Sequence, residues 1–123
     1  MSRPRILVVD DDRDARESLV DALATEGYLV LEAEDGEQAL ALLRSGRRPA
    51  LILLDLMMPR TDGATFRRAQ MTDASLARIP VVVVTAYEIS EEHASALRAA
   101  AYLAKPPELS ALLDVVSRLA PPK

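Results

Sequence analysis

The chain has 123 residues, enough for one substantial core but not for two, and half of them are hydrophobic while only 3% are aromatic. A net charge of −4 without a basic stripe excludes a surface built to displace counterions from nucleic acid or to settle on an anionic membrane. The absence of cysteine excludes disulfides, thiolate metal sites and thiol nucleophiles.

The first apolar run, Ile6-Leu7-Val8-Val9, is β-branched and unalternating, as a strand covered on both faces requires. It is too short for a signal peptide and runs at once into Asp10, Asp11 and Asp12, which points to a cytoplasmic chain. Ala15, Leu19, Ala22 and Leu23 then recur at helical spacing, and Gly27 stands where that helix should stop. Tyr28 to Leu31 reads as a weaker second strand. Asp35-Gly36 turns into a second helix with the stripe Ala39, Leu40 and Leu43, closed at Gly46. Leu51 to Leu54 is the third strand, Asp62-Gly63 the turn into a third helix, Val81 to Val84 the fourth strand, and Ala101 to Ala104 a short fifth. The last helix carries Leu109, Leu112, Leu113, Val116 and Leu119 between Pro106-Pro107 and Pro121-Pro122. Five β-α units predict a doubly wound α/β fold with a five-stranded parallel sheet and a ligand site beyond the carboxyl ends of the strands. One domain over 1–123 is expected, with its core at about 5–119, a frayed tail, and no output domain.

The polar residues that end the buried strands are few: Asp10 and Asp11 after the first, Asp55 after the third, Thr85 after the fourth and Lys105 after the fifth. Acids after a strand often do no more than cap the next helix, and Asp12 is expected to do that. Three carboxylates at one mouth, however, repel one another unless a cation lies among them. With oxygen donors only and no His or Cys beside them, the cation of choice is Mg²⁺. Lys105 would hold an anionic phosphoryl oxygen and Thr85 would donate a hydroxyl, completing a cradle in which the Asp55 carboxylate attacks phosphorus.

At this point the chain resembles the receiver domains of two-component response regulators, which share the flavodoxin-like (βα)5 fold, over about Arg5 to Leu119. The motifs are Ile6 to Asp12, Leu53-Leu54-Asp55-Leu56-Met57-Met58-Pro59 with Asp62-Gly63, Val84-Thr85-Ala86, and Lys105-Pro106. The resemblance implies phosphorylation of Asp55, a Mg²⁺ bound directly by Asp11 and Asp55, largely through water by Asp10, and by the backbone carbonyl of Met57. Thr85 and Lys105 would grip the phosphoryl group. It further implies that Tyr102 moves with Thr85 as a switch, and that bulky Met57 and Tyr87 slow the attack of water on the acyl phosphate. The implied partners are a histidine kinase or phosphotransfer protein and an unidentified downstream protein, with a homodimer left open. Three departures concern the switching face: the stretch from Thr85 to Tyr102 is about two residues short, Ala99-Ala100-Ala101 replaces a Gly-Ala, and Pro107 replaces an aromatic residue. The fourth helix should therefore be short. His93, the only histidine, reads as a solvated helix residue. Two other readings stand beside the receiver: a non-switching interaction module, and a small phosphatase of aspartyl-phosphate type.

Overall fold

The computed structural model describes residues 4–58, 62–86 and 88–121. Strands β1 (Arg5–Val9), β2 (Leu29–Ala33), β3 (Leu51–Leu54), β4 (Val81–Thr85) and β5 (Ala101–Ala104) alternate with helices α1 (Arg13–Thr25), α2 (Gly36–Arg44), α3 (Gly63–Thr72), α4 (Glu91–Leu97) and α5 (Leu109–Leu119). The sheet is parallel throughout in the order β2-β1-β3-β4-β5. This is the expected five-stranded flavodoxin-like (βα)5 fold.

Alternation along the strands divides the core in two. Leu7, Val9, Ile52, Leu54, Val81 and Val83 face Ala39, Leu43, Phe66 and Leu97 on the side of α2, α3 and α4. Ile6, Val8, Leu51, Leu53, Val82 and Val84 face Leu19, Leu23, Leu112, Val115 and Val116 of α1 and α5. Both faces of β1, β3 and β4 are therefore dry, which is why these strands lack alternation.

The second strand begins one residue later and runs two residues further than Tyr28 to Leu31. Tyr28 belongs to the end of α1: its amide donates to the Leu23 carbonyl at 3.1 Å, beside a Gly27 whose φ of 91° only glycine adopts without strain. The strand then extends to Ala33 because it pairs with β1 through Val9. In α5 the buried side chains are Leu112, Val115 and Val116, whereas Leu109, in the first turn, is 55% exposed. α4 has seven residues, as short as expected.

Gly63 opens α3 against the end of β3, where its amide donates to the Leu56 carbonyl at 3.0 Å. A Cβ there would lie 2.7 Å from both the Asp55 carbonyl oxygen and Leu56 Cα, backbone atoms that cannot rotate away. Gly63→Ala is expected to destabilise the domain by about 1–3 kcal/mol, the range for overpacking, read as a lower urea midpoint at unchanged m-value.

Two buried polar residues of α3 tie it to the end of α4 and to the loop that leads into β4. The Arg67 guanidinium, whose pKa is lowered by desolvation, donates to the carbonyls of Leu97 at 2.8 Å and Arg98 at 2.9 Å, and to Gln70 Oε1 at 2.7 Å. Gln70, fully buried, donates in turn to the carbonyls of Leu76 and Ile79. No helix among the described residues is long and apolar enough to cross a membrane.

A candidate phosphoacceptor and metal site

The strands deliver the site because their carboxyl ends lie side by side. Asp10 follows β1 and is 1% exposed, its amide bonded to the Ala33 carbonyl at 3.1 Å. Asp55 follows β3 and is 6% exposed, its amide bonded to the Val9 carbonyl at 2.9 Å. Asp11 is exposed at the mouth, and Asp10, Asp11 and Asp55 each offer a carboxylate oxygen within 4.8 Å of the others. Asp12 caps α1 as expected, accepting from the amides of Asp14 and Ala15.

Lys105 enters from the end of β5, where its amide donates to the Thr85 carbonyl at 3.0 Å and its peptide bond to Pro106 is cis. Its ammonium lies 2.8 Å from Asp10 Oδ2 and 3.4 Å from Asp55 Oδ2. Burial by itself would lower the lysine's pKa, but hydrogen bonds and charge from Asp10 and then Asp55 outweigh it and the value is raised. Burial likewise raises Asp55, with the Asp10 charge adding to it, while the Met57 amide at 3.2 Å from Oδ1 and Lys105 pull the other way. The lysine thus offsets the charge of Asp10 and Asp55, while Asp11 stands exposed at the mouth without a contact to it.

Met57, 59% exposed, flanks Asp55 and lines with Asp11, Asp55, Ala86 and Lys105 an open hollow of about 480 Å³. Thr85 ends β4, 7% exposed, and lines a neighbouring cleft of about 290 Å³ together with Ile89, Ala94 and Tyr102. Tyr102 sits on the edge strand, 39% exposed, its hydroxyl donating to the Ala94 carbonyl of α4. Asp11, Asp55, Met57 and Lys105 therefore line one hollow, with Asp10 buried behind it against Lys105, and Thr85 and Tyr102 line the next. His93 is exposed on α4. Pro59, Tyr87 and the last two residues of the tail lie outside the described residues.

One residue at this site escaped the sequence reading. Arg16, in α1, is 8% exposed and donates to the Asp10 carbonyl at 2.7 Å. Its signal was its position: Arg16, Leu19 and Leu23 share one helical stripe.

A sheet of this order with acids at the mouth of β1 and β3 defines a receiver. Residues 6–117 match the model of the response regulator receiver domain. The chain is 46% identical over 112 residues to Response regulator MprA of Mycolicibacterium vanbaalenii, and at the same identity to that of Mycobacterium ulcerans; the match covers 89% of this chain but 47% of each relative. The chain thus spans about half the length of the curated relatives it matches. Among solved structures, a putative response regulator from Chloroflexus aurantiacus superposes with a TM-score of 0.87 at 29% identity, covering 97% of this chain and 98% of that one. The Vibrio cholerae chemotaxis response regulator CheY4 superposes with a TM-score of 0.86 at 29% identity, covering 96% and 99%. The chain belongs to the response regulator receiver domain family of two-component signalling.

Proposed function

We propose that the chain is a phosphorylation-activated receiver that accepts a phosphoryl group on Asp55. The carrying observation is the convergence of Asp10, Asp11, Asp55 and the Lys105 ammonium at one sheet mouth. Mg²⁺ fits the donor set, which is all hard oxygen. The three carboxylate oxygens lie within 4.8 Å of one another, close enough for one divalent cation to be shared among them. Asp11, Asp55 and the Met57 carbonyl would hold it, with Asp10 acting largely through water. When bound it supplies positive charge to the phosphoryl oxygens. Asp55 Oδ forms a bond to phosphorus as the donor's N–P bond breaks, the electron pair leaving with the donor's imidazole. Lys105 moves from Asp10 toward the new phosphoryl oxygens, and Thr85 turns its hydroxyl to them. Tyr102, sharing a cleft with Thr85, follows inward and releases Ala94, changing the face formed by α4, β5 and α5 that a downstream protein reads.

The donor is a histidine kinase or phosphotransfer protein, which places the chain in the cytoplasm. An apolar groove of about 360 Å³ lies beside the hollow, between α1 and the loop into α5, and suits a helical donor. Ala15, Leu19, Pro106, Pro107 and Leu109 line it. As a receiver, 1–123 acts as one unit and catalyses only its own phosphorylation and slow dephosphorylation.

Intact-mass analysis after incubation with acetyl phosphate tests the reading. A gain of one phosphoryl mass that requires Mg²⁺ is expected; its absence with both acetyl phosphate and a phosphohistidine protein donor would make the non-switching module the better account. Lys105→Met gives a finer check. With the ammonium gone from its 2.8 Å contact, Asp10 no longer divides itself between lysine and metal. Mg²⁺ should therefore bind several-fold more tightly while labelling slows at least about tenfold, the loss of about 1.4 kcal/mol of transition-state stabilisation. Calorimetry and labelling rates read the two effects separately.

A further inference from the structure

Asp10 is held at every polar atom. Its amide goes to the Ala33 carbonyl, Oδ1 accepts from the Asp12 amide at 2.9 Å, Oδ2 accepts from Lys105, and its carbonyl oxygen accepts from Arg16. The last bond is the unusual one. At the end of β1 the chain leaves the sheet, so the Asp10 carbonyl faces α1 as a buried acceptor that the ladder no longer serves. Arg16 returns to it across one helical turn.

The guanidinium is itself aimed. Its Nε donates to Glu32 Oε1 at 3.1 Å and its Nη2 lies 3.8 Å from Glu34 Oε1, while Nη1 takes the carbonyl. Glu32 lies in β2 and Glu34 just past its end, and both carboxylates approach the guanidinium. A planar fork spanning a carbonyl and two carboxylates fixes direction in a way that a single ammonium cannot. The turn between β1 and α1, which carries both Asp10 and Asp11, is thereby pinned to β2 from behind.

We infer that Arg16 is a positioning residue for the acidic pair, holding the Asp10 main chain so that Asp10 and Asp11 present their carboxylates together to a divalent cation. The inference rests on the receiver reading of the hollow. Positioning and charge make opposite predictions here. If Arg16 acted only as a nearby positive charge, removing it would strengthen cation binding; if it positions the acids, removing it weakens binding, and outer partners of metal ligands are typically worth about ten- to a hundredfold in affinity.

The test is calorimetric titration of the purified chain with MgCl₂, for the wild type, Arg16→Met and Arg16→Lys, each checked for folding by urea melts. Arg16→Met, which keeps most of the side-chain volume, should bind Mg²⁺ at least about tenfold more weakly. Arg16→Lys should recover part of that loss, since an ammonium can reach the Asp10 carbonyl without spanning both glutamates. Labelling by acetyl phosphate should need correspondingly more Mg²⁺ for half-maximal rate, with the rate at saturating Mg²⁺ near that of the wild type. Equal or tighter binding by Arg16→Met overturns the positioning role and leaves the receiver reading standing, whereas a wild type that binds no Mg²⁺ removes both. Should Arg16→Met fail to fold, Arg16→Lys decides: weaker binding than wild type supports the role, and unchanged affinity overturns it.

Discussion

Asp55→Asn is expected to reduce phosphoryl labelling to background, with unfolding midpoint at or above that of the wild type. The amide is the same size as the carboxylate and can still accept from the Met57 amide, so no cavity opens. It cannot supply the anionic oxygen that attacks phosphorus. The wild-type carboxylate is disfavoured by burial and by the Asp10 charge, and its contact with Lys105, at 3.4 Å, is the longer of that lysine's two. Removing one of three clustered acids while the Lys105–Asp10 pair remains should change stability by less than about 1 kcal/mol, with the sign toward stabilisation common at functional sites. Intact mass and a urea melt on the same preparation check both halves. Undiminished labelling would move the acceptor to another residue.

Arg67→Ala should have the largest effect on stability. Truncation leaves the Leu97 and Arg98 carbonyls and Gln70 Oε1 without the donor that serves them, in a place where Leu97 and Gln70 are buried. An unserved buried acceptor costs about 1–3 kcal/mol. With three affected, one of them partly buried, and the side-chain volume lost as well, a decrease of about 3–4 kcal/mol is expected in urea unfolding. The damage should centre on α4. A helix of seven residues has little stability of its own, and this one is held by Leu97 in the core, by Arg67 at its carboxyl end and by the Tyr102 hydroxyl at Ala94. Amide exchange over Glu91 to Leu97 should accelerate in Arg67→Ala before the sheet amides respond. A loss below about 1 kcal/mol would mean that water serves those carbonyls equally well.

The parts of the molecule that were legible in sequence are those where one physical demand dominates. β1, β3 and β4 had to be apolar on both faces, and the acids, threonine and lysine that break the pattern fall where the strands run out. β2 was harder to bound: an edge strand with Glu32 and exposed Leu29 has one dry side at most. Arg16, Arg67 and Gln70 were missed because polar residues on a helix ordinarily read as the solvent face. Two of them nevertheless fall in step with apolar neighbours, Arg16 with Leu19 and Leu23, Gln70 with Phe66, so spacing rather than polarity carried the information there. That Lys105 lies closer to Asp10 than to Asp55 was not readable at all, for it depends on how the chain after β5 crosses the mouth.

The strand order has a consequence during synthesis. Site residues leave the ribosome in the sequence Asp10, Asp11, Asp55, Thr85, Lys105, and each strand after the second joins a neighbour already made. A nascent chain that has reached β4 can assemble the acids but offers them no lysine, and the edge of β4 where β5 will pair is bare. Such a chain holds its negative charges unbalanced and lacks Tyr102. A copy that has not yet made β5 therefore lacks both the ammonium and the tyrosine, and the cluster at the sheet mouth is complete only with that strand.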